Sequence, residues 1–170
     1  MKSKMKIIAF VSLATIFLAG YFVFLQGENE KKETTLIGSG GNLTVLENDF
    51  DFGDIELRGG NVSHKFEVKN KGSEAMMVKK VYTSCMCTTA YLSDASGKRY
   101  GKFGMQGHKG LDLDTDIKIA PGEKAEVEVI FDPFAHGPNG TGKIKRIVYL
   151  ETSSEKTPKV EIKFTGNVIE

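Results

Sequence analysis

The stretch that decides the fold is Val62 to Ser73, VSHKFEVKNKGS. Val62, His64, Phe66 and Val68 alternate with Ser63, Lys65, Glu67 and Lys69, so one face is largely apolar and the other polar. A period of two marks a strand with one face on a core. Asn70-Lys71-Gly72-Ser73 then supplies turn chemistry. Working outward, Ala125, Val127, Val129 and Phe131 repeat the alternation against Glu126, Glu128 and Ile130. Met76 to Ala90 is a long run rich in Val, Thr and Tyr. Leu111, Leu113, Ile117 and Ile119 belong to another extended stretch, closed by Ala120-Pro121-Gly122-Glu123. Ile144 to Thr152 and Val160 to Val168 complete the set.

No segment after residue 42 sustains a helical period. The expectation is therefore all-β: an immunoglobulin-like antiparallel β-sandwich of about seven strands over residues 43–170. The Cys and Trp signature of antibody domains is missing, since the chain has no tryptophan. One stretch breaks the pattern. Ser93 to Gly110, SDASGKRYGKFGMQGHKG, holds five glycines and reads as a long irregular loop.

Composition narrows the function classes. With 40% hydrophobic and 26% charged residues in 170, the chain is neither a disordered polymer nor a multispan membrane protein. The 23 basic and 22 acidic residues leave no basic footprint for nucleic acid. Three of the basic residues are Lys2, Lys4 and Lys6, which leaves 20 against 22 in the remainder.

Those lysines precede Ile7 to Leu25, IIAFVSLATIFLAGYFVFL, which carries no charge. As a helix it would be about 28 Å long, close to the ~30 Å hydrocarbon thickness of a bilayer. The expected organisation is a cytoplasmic N-terminus at 1–6 and a transmembrane signal-anchor helix at 7–25. The positive-inside rule then makes the protein single-pass in the cell membrane, with its C-terminal domain extracytoplasmic, either periplasmic or extracellular. Cleavage after a site such as Leu18-Ala19-Gly20 is the alternative. No cysteine lies near the end of the segment, which excludes a lipid-anchored lipoprotein. Residues 26–42, QGENEKKETTLIGSGGN, have the composition of a flexible linker.

The residues suited to chemistry are few. Cys85-Met86-Cys87 lies within the strand-like run Met76 to Ala90. Residues two apart on a strand share a face at about 6.6 Å, so two thiols can lean onto one soft ion. A direct disulfide wants α-carbons at about 4.4–6.8 Å, so it would need a local bend. His64 sits on the apolar face of its strand and reads as a core or sheet-end histidine. His108 and His136 occur in glycine-rich turns. Cys85, Cys87, His108 and His136 together make a two-sulfur, two-nitrogen set suited to Zn(II), or with Met105 to Cu(I). A redox-active or structural cysteine pair and two unreactive buried thiols remain alternatives. There is no phosphate-cradling loop, nucleophile elbow or zinc-protease helix, so no enzyme signature stands out. Asp112, Asp114 and Asp116 read as a solvent face, and so does Lys143, Lys145, Arg146.

Four motifs in order resemble a known family. They are Phe50-Asp51-Phe52-Gly53-Asp54-Ile55, Val62 to Gly72, Thr83-Ser84-Cys85-Met86-Cys87-Thr88, and Ile119 to Glu123 followed by Val129-Ile130-Phe131-Asp132. Together they resemble a bacterial family of immunoglobulin-like domains of unknown function. That family is in turn similar to the major sperm protein and abnormal-spindle/hydin group. The resemblance covers about residues 45–169 and implies a seven- or eight-stranded sandwich, secreted or membrane-tethered. It supplies no activity. The family commonly has glycine between the two cysteines, where Met86 stands here, a departure toward soft-metal chemistry. The expected function is a membrane-anchored, extracytoplasmic binding module that takes a soft metal ion. A protein-interaction or envelope scaffold with incidental thiols, and a thiol–disulfide redox protein, are the competing readings.

Overall fold

The computed structural model describes residues 40–108 and 110–170. The expected N-terminus at 1–6, the anchor at 7–25 and the linker up to residue 39 lie outside the described residues. Among those described, no helix is long and apolar enough to cross a membrane.

The described residues form ten strands in two five-stranded sheets, which pack as a β-sandwich. In chain order they are β1 (Leu43–Val45), β2 (Asp49–Glu56), β3 (Val62–Asn70), β4 (Met76–Thr83) and β5 (Thr88–Ser93), then β6 (Arg99–Phe103), β7 (Asp114–Ile119), β8 (Lys124–Phe131), β9 (Gly142–Thr152) and β10 (Lys159–Ile169). One sheet has the order β1-β3-β8-β5-β6, the other β2-β10-β9-β4-β7. The expected all-β class holds, but three expectations change. Among the described residues the strands number ten, against about seven expected. The ladder between β10 and β2 is parallel, so the second sheet is mixed. And β6 runs through the stretch that read as an irregular loop, pairing Phe103, Tyr100 and Arg99 with β5.

The alternation works as its period requires. Phe66 and Val68 of β3, Val127, Val129 and Phe131 of β8, and Ile162 and Phe164 of β10 are all buried between the sheets. His64 faces the same way and stacks on Phe50 with ring centroids 3.6 Å apart, as a sheet-end histidine does. Two strands change phase part-way. In β4, Met76 and Val78 point inward, then a register shift between Val78 and Lys80 hands the inward positions to Val81 and Thr83. In β2 the shift falls at Gly53, whose φ of +67° suits glycine, and Ile55 and Leu57 become the buried positions.

One end of the sandwich closes on Asn70, which is fully buried. Its side-chain oxygen accepts from the backbone N–H groups of Asn42 (3.0 Å) and Gly72 (2.9 Å). Its amide nitrogen donates to the carbonyls of Glu74 (2.8 Å) and Ile119 (3.0 Å). Asn70 ends β3 in one sheet and Ile119 ends β7 in the other, so one amide stitches the layers together. Gly72 must be glycine here, because a Cβ would lie 2.4 Å from the Gly40 carbonyl oxygen. Residues 40–42, which composition placed in the linker, are thereby tied into the sandwich. The Ser154 hydroxyl also donates to the Gly41 carbonyl.

Asn70→Ala takes the side-chain partner from four backbone groups, one of them fully buried, so a loss of about 3 kcal/mol is expected. Urea unfolding followed by circular dichroism measures it. Asn70→Asp keeps both accepted bonds but sets a buried carboxylate oxygen against the Glu74 and Ile119 carbonyls, so its loss should be at least as large.

Candidate functional site

The opposite end of the sandwich carries the cysteines. Thr88 of β5 pairs with Phe131 of β8 there, as does Val62 of β3. The sequence suggested that Cys85 and Cys87 lie within one continuous strand. They do not. β4 ends at Thr83 in one sheet and β5 begins at Thr88 in the other, so Ser84–Cys87 is the crossover between layers. The Thr88 N–H donates to the Cys85 carbonyl at 3.1 Å, closing a turn. The buried Thr83 hydroxyl lies 2.9 Å from the Cys85 carbonyl oxygen and 3.2 Å from that of Thr88. Ser84 is held from β9, where its N–H donates to the Ile147 carbonyl and its hydroxyl accepts from the Ile147 N–H. Asp132 donates its N–H to the Cys87 carbonyl, which joins the turn to the loop after β8.

The turn brings the sulfurs together. Both cysteines are free thiols; Cys85 is half-buried and Cys87 is buried. The Cys87 N–H donates to Cys85 Sγ at 3.4 Å. His136, in the loop after β8, places Nε2 3.3 Å from Cys85 Sγ. Cys85 Sγ, Cys87 Sγ and a ring nitrogen of His136 all lie within 4.8 Å of one another. Around one ion, bonds of about 2.0–2.3 Å set ligand atoms about 3.5–4 Å apart, so small side-chain movements would close the set.

The other predicted residues sit as follows. His108 is exposed, and its N–H donates to the Met105 carbonyl at 3.3 Å. Met105 makes an isolated parallel bridge to Thr83, and the Thr83 N–H donates to the Gly104 carbonyl. The loop bearing His108 is thus fastened to the strand that leads into the cysteine turn. His108 is not among the three residues whose donor atoms converge.

Arg146 completes the site, and the sequence reading missed it. By composition it belongs with Lys143 and Lys145 on a solvated face. The structure sets it on β9 in the same alternation as the buried Val148 and Leu150, opposite Phe164. Its Nε donates to Cys87 Sγ at 3.1 Å, and Nη1 donates to the Lys145 carbonyl at 2.9 Å. A charge at an inward position of an apolar alternation was the signal available in the sequence.

These neighbours split the two thiols. Burial pushes Cys85 upward, but the Cys87 thiol and N–H, His136 and the Arg146 charge outweigh it and bring Cys85 down to about 7. Burial drives Cys87 upward, reinforced by its contact with Cys85 and opposed by Arg146. Burial alone would lower Arg146, yet the adjacent sulfurs hold it above its ordinary value. Chemically, this is a half-exposed thiol with an eased ionisation, a buried thiol with a hindered one, an imidazole and a guanidinium within one small volume.

Comparison with known proteins adds the fold's kinship. Residues 43–102 match the family model described as "Protein of unknown function (DUF1573)". The match takes in both cysteines and about a third of the chain, and stops before His136 and Arg146. No curated protein matches. Among solved structures, a protein of unknown function from Porphyromonas gingivalis W83 aligns with TM-score 0.55 at 15% identity, covering 79% of this chain and 51% of that one. The secreted serine protease VesC from Vibrio cholerae gives TM-score 0.45 at 12% identity, over 78% of this chain and 24% of that one. The CupB6 tip adhesin from Pseudomonas aeruginosa gives 0.44 at 10%, over 79% and 43%. The chain thus spans about half the length of the first and less of the others. At 15% identity the first likeness is one of fold alone.

The charge environment is directly measurable. Thiolates and not thiols react with iodoacetamide, so alkylation of Cys85 in the metal-free protein should rise through an inflection near pH 7. Peptide mapping against pH reads it site by site. Cys87 should react slowly throughout, and an inflection for Cys85 near 9 would show that the surrounding donors have no effect on it.

Proposed function

We propose that this chain is a membrane-anchored, extracytoplasmic β-sandwich module that binds a soft metal ion, Cu(I) or Zn(II), through Cys85, Cys87 and His136. The observation that carries the reading is the convergence of two sulfurs and one imidazole nitrogen within 4.8 Å, from two separate loops. Thiolate and imidazole together select thiophilic ions over Mg(II) or Ca(II), which take oxygen ligands. Three donors are enough for a trigonal ion. A tetrahedral ion takes a fourth, for which His108 is the residue nominated by the sequence. The anchor at residues 7–25 is supported by its length, its lack of charge and the lysines before it.

Binding displaces thiol protons, which fixes the direction of the pH dependence. Above pH 7 mainly Cys87 still carries a proton, and below it both cysteines do. Affinity should therefore rise with pH, by about tenfold per unit above 7 and about a hundredfold per unit below it.

A second reading rests on one specific observation, the half-exposed Cys85 beside buried Cys87 with Arg146 on the pair. In it the Cys85 thiolate attacks a partner disulfide, forming a mixed disulfide and releasing one partner thiolate. Cys87 then attacks Cys85 Sγ and releases the second, so the pair is oxidised as the partner is reduced.

Native mass spectrometry separates the two. The chain is exported to an oxidising compartment, purified without chelator or reductant, and offered Cu(I) and Zn(II) separately. A one-to-one adduct is expected. Chelator competition should show roughly hundredfold weaker binding for Cys85→Ser and Cys87→Ser and about tenfold weaker for His136→Ala. His108→Ala should leave Cu(I) affinity within about twofold. A metal-free chain lighter by two hydrogens overturns this reading in favour of thiol exchange. A metal-free chain with both thiols intact overturns both, and leaves an interaction module with incidental thiols.

A further inference from the structure

The metal reading leaves Zn(II) and Cu(I) both open, and Arg146 bears on that choice. It stands at an inward position of β9 with its Nε 3.1 Å from Cys87 Sγ. Among the described residues no carboxylate lies within ion-pair distance of it. Nor does any carboxylate join the three converging donors. A half-buried guanidinium without a carboxylate partner needs another counter-charge, and the adjacent sulfur is the group in position to supply it.

Charge counting then discriminates between ions. Two thiolates and a neutral imidazole carry −2, and Arg146 makes the set −1. A monovalent ion brings that to zero, while a divalent ion leaves +1 in a partly desolvated volume. Three donors complete a trigonal site for a monovalent soft ion, whereas Zn(II) on the same three would take a water or a further ligand as its fourth.

We infer that Arg146 acts as a built-in counter-charge that sets the selectivity of the Cys85–Cys87–His136 site for a monovalent soft cation, Cu(I), over divalent Zn(II). The inference rests on the metal reading proposed above. Arg146 does not ligate the ion; it acts through Cys87 and the summed charge.

The test measures two dissociation constants, for Cu(I) and for Zn(II), on the full chain in detergent. Each comes from competition with a chromophoric chelator at one pH under reducing conditions. Wild type, Arg146→Gln and Arg146→Lys are compared, with Ag(I) as a redox-inert monovalent control. Arg146→Gln should shift the Zn(II)-to-Cu(I) preference toward zinc by at least about tenfold, the equivalent of about 1.4 kcal/mol. Arg146→Lys, which keeps the charge, should hold the preference near wild type, and Ag(I) should follow Cu(I). Arg146→Gln weakening both ions equally would assign the residue a supporting role and overturn the inference. So would an unchanged preference. If Arg146→Gln does not fold, a preference that moves toward zinc in Arg146→Lys overturns it as well. Wild type that binds neither ion overturns the metal reading itself, an outcome distinct from binding without selectivity.

Discussion

The site depends on a geometric constraint: the chain must pass from one sheet to the other between Thr83 and Thr88. Packed sheets stand about 10 Å apart, so so short a crossover has little conformational freedom left. The buried Thr83 hydroxyl reduces it further by lying against two carbonyls, those of Cys85 and Thr88, with one proton shared between them. Ser84 is fixed from β9 and the Cys87 carbonyl from Asp132. With the backbone so committed, the sulfurs have few ways to move apart. A ligand set held by its own supporting hydrogen bonds is preorganised, and that is what a binding site needs from a scaffold.

The same arrangement explains why metal binding and thiol exchange compete as readings. Each needs a thiolate stabilised by nearby donors, and Cys85 has Cys87, His136 and Arg146 for that purpose. They differ in what the second sulfur must do. Metal binding needs Cys87 to stay within reach of the ion and lose its proton. Thiol exchange needs it to strike Cys85 Sγ, which closes a very short ring. Neighbouring cysteines one residue apart stand near the upper limit of disulfide geometry when extended, and the turn relaxes that limit. His136 is the discriminating residue. Its Nε2 contributes a third donor to an ion, whereas a dithiol pair has no stoichiometric need of it.

The strands were legible in the sequence because a buried face imposes a period of two, as in Val62–Val68 and Ala125–Phe131. What was not legible has a physical reason in each case. β6 reads as loop because its residues, Arg99 to Phe103, are mostly exposed and include Gly101, yet ladder hydrogen bonds still form along an edge. The phase shifts at Gly53 and at Val78/Lys80 break the count of alternate residues without breaking the strand. Cys85 and Cys87 stand out in the sequence as a pair, and their sulfurs lie close together in the structure. Val, Thr and Tyr on both sides concealed the turn between them, since β propensity does not report where a chain changes sheet. Arg146 was hidden by its company, with lysines beside it, although its parity with Val148 and Leu150 places it inward.

The two ends of the sandwich solve one problem in opposite ways. At each, the chain crosses between sheets and buried polar groups need partners. At the Asn70 end the accounting closes: four backbone groups meet both ends of one amide, with nothing left over. At the Thr83 end the accounting runs through sulfur. The guanidinium of Arg146 has a sulfur for its partner, and His136 offers Nε2 to another sulfur. Sulfur is a weak hydrogen-bond acceptor, so a polar cluster built on it is a poor way to stabilise a fold. A cluster of that kind gains most when something else enters and takes the lone pairs. The amide-closed end therefore serves stability, and the sulfur-built end is the one for which binding is proposed.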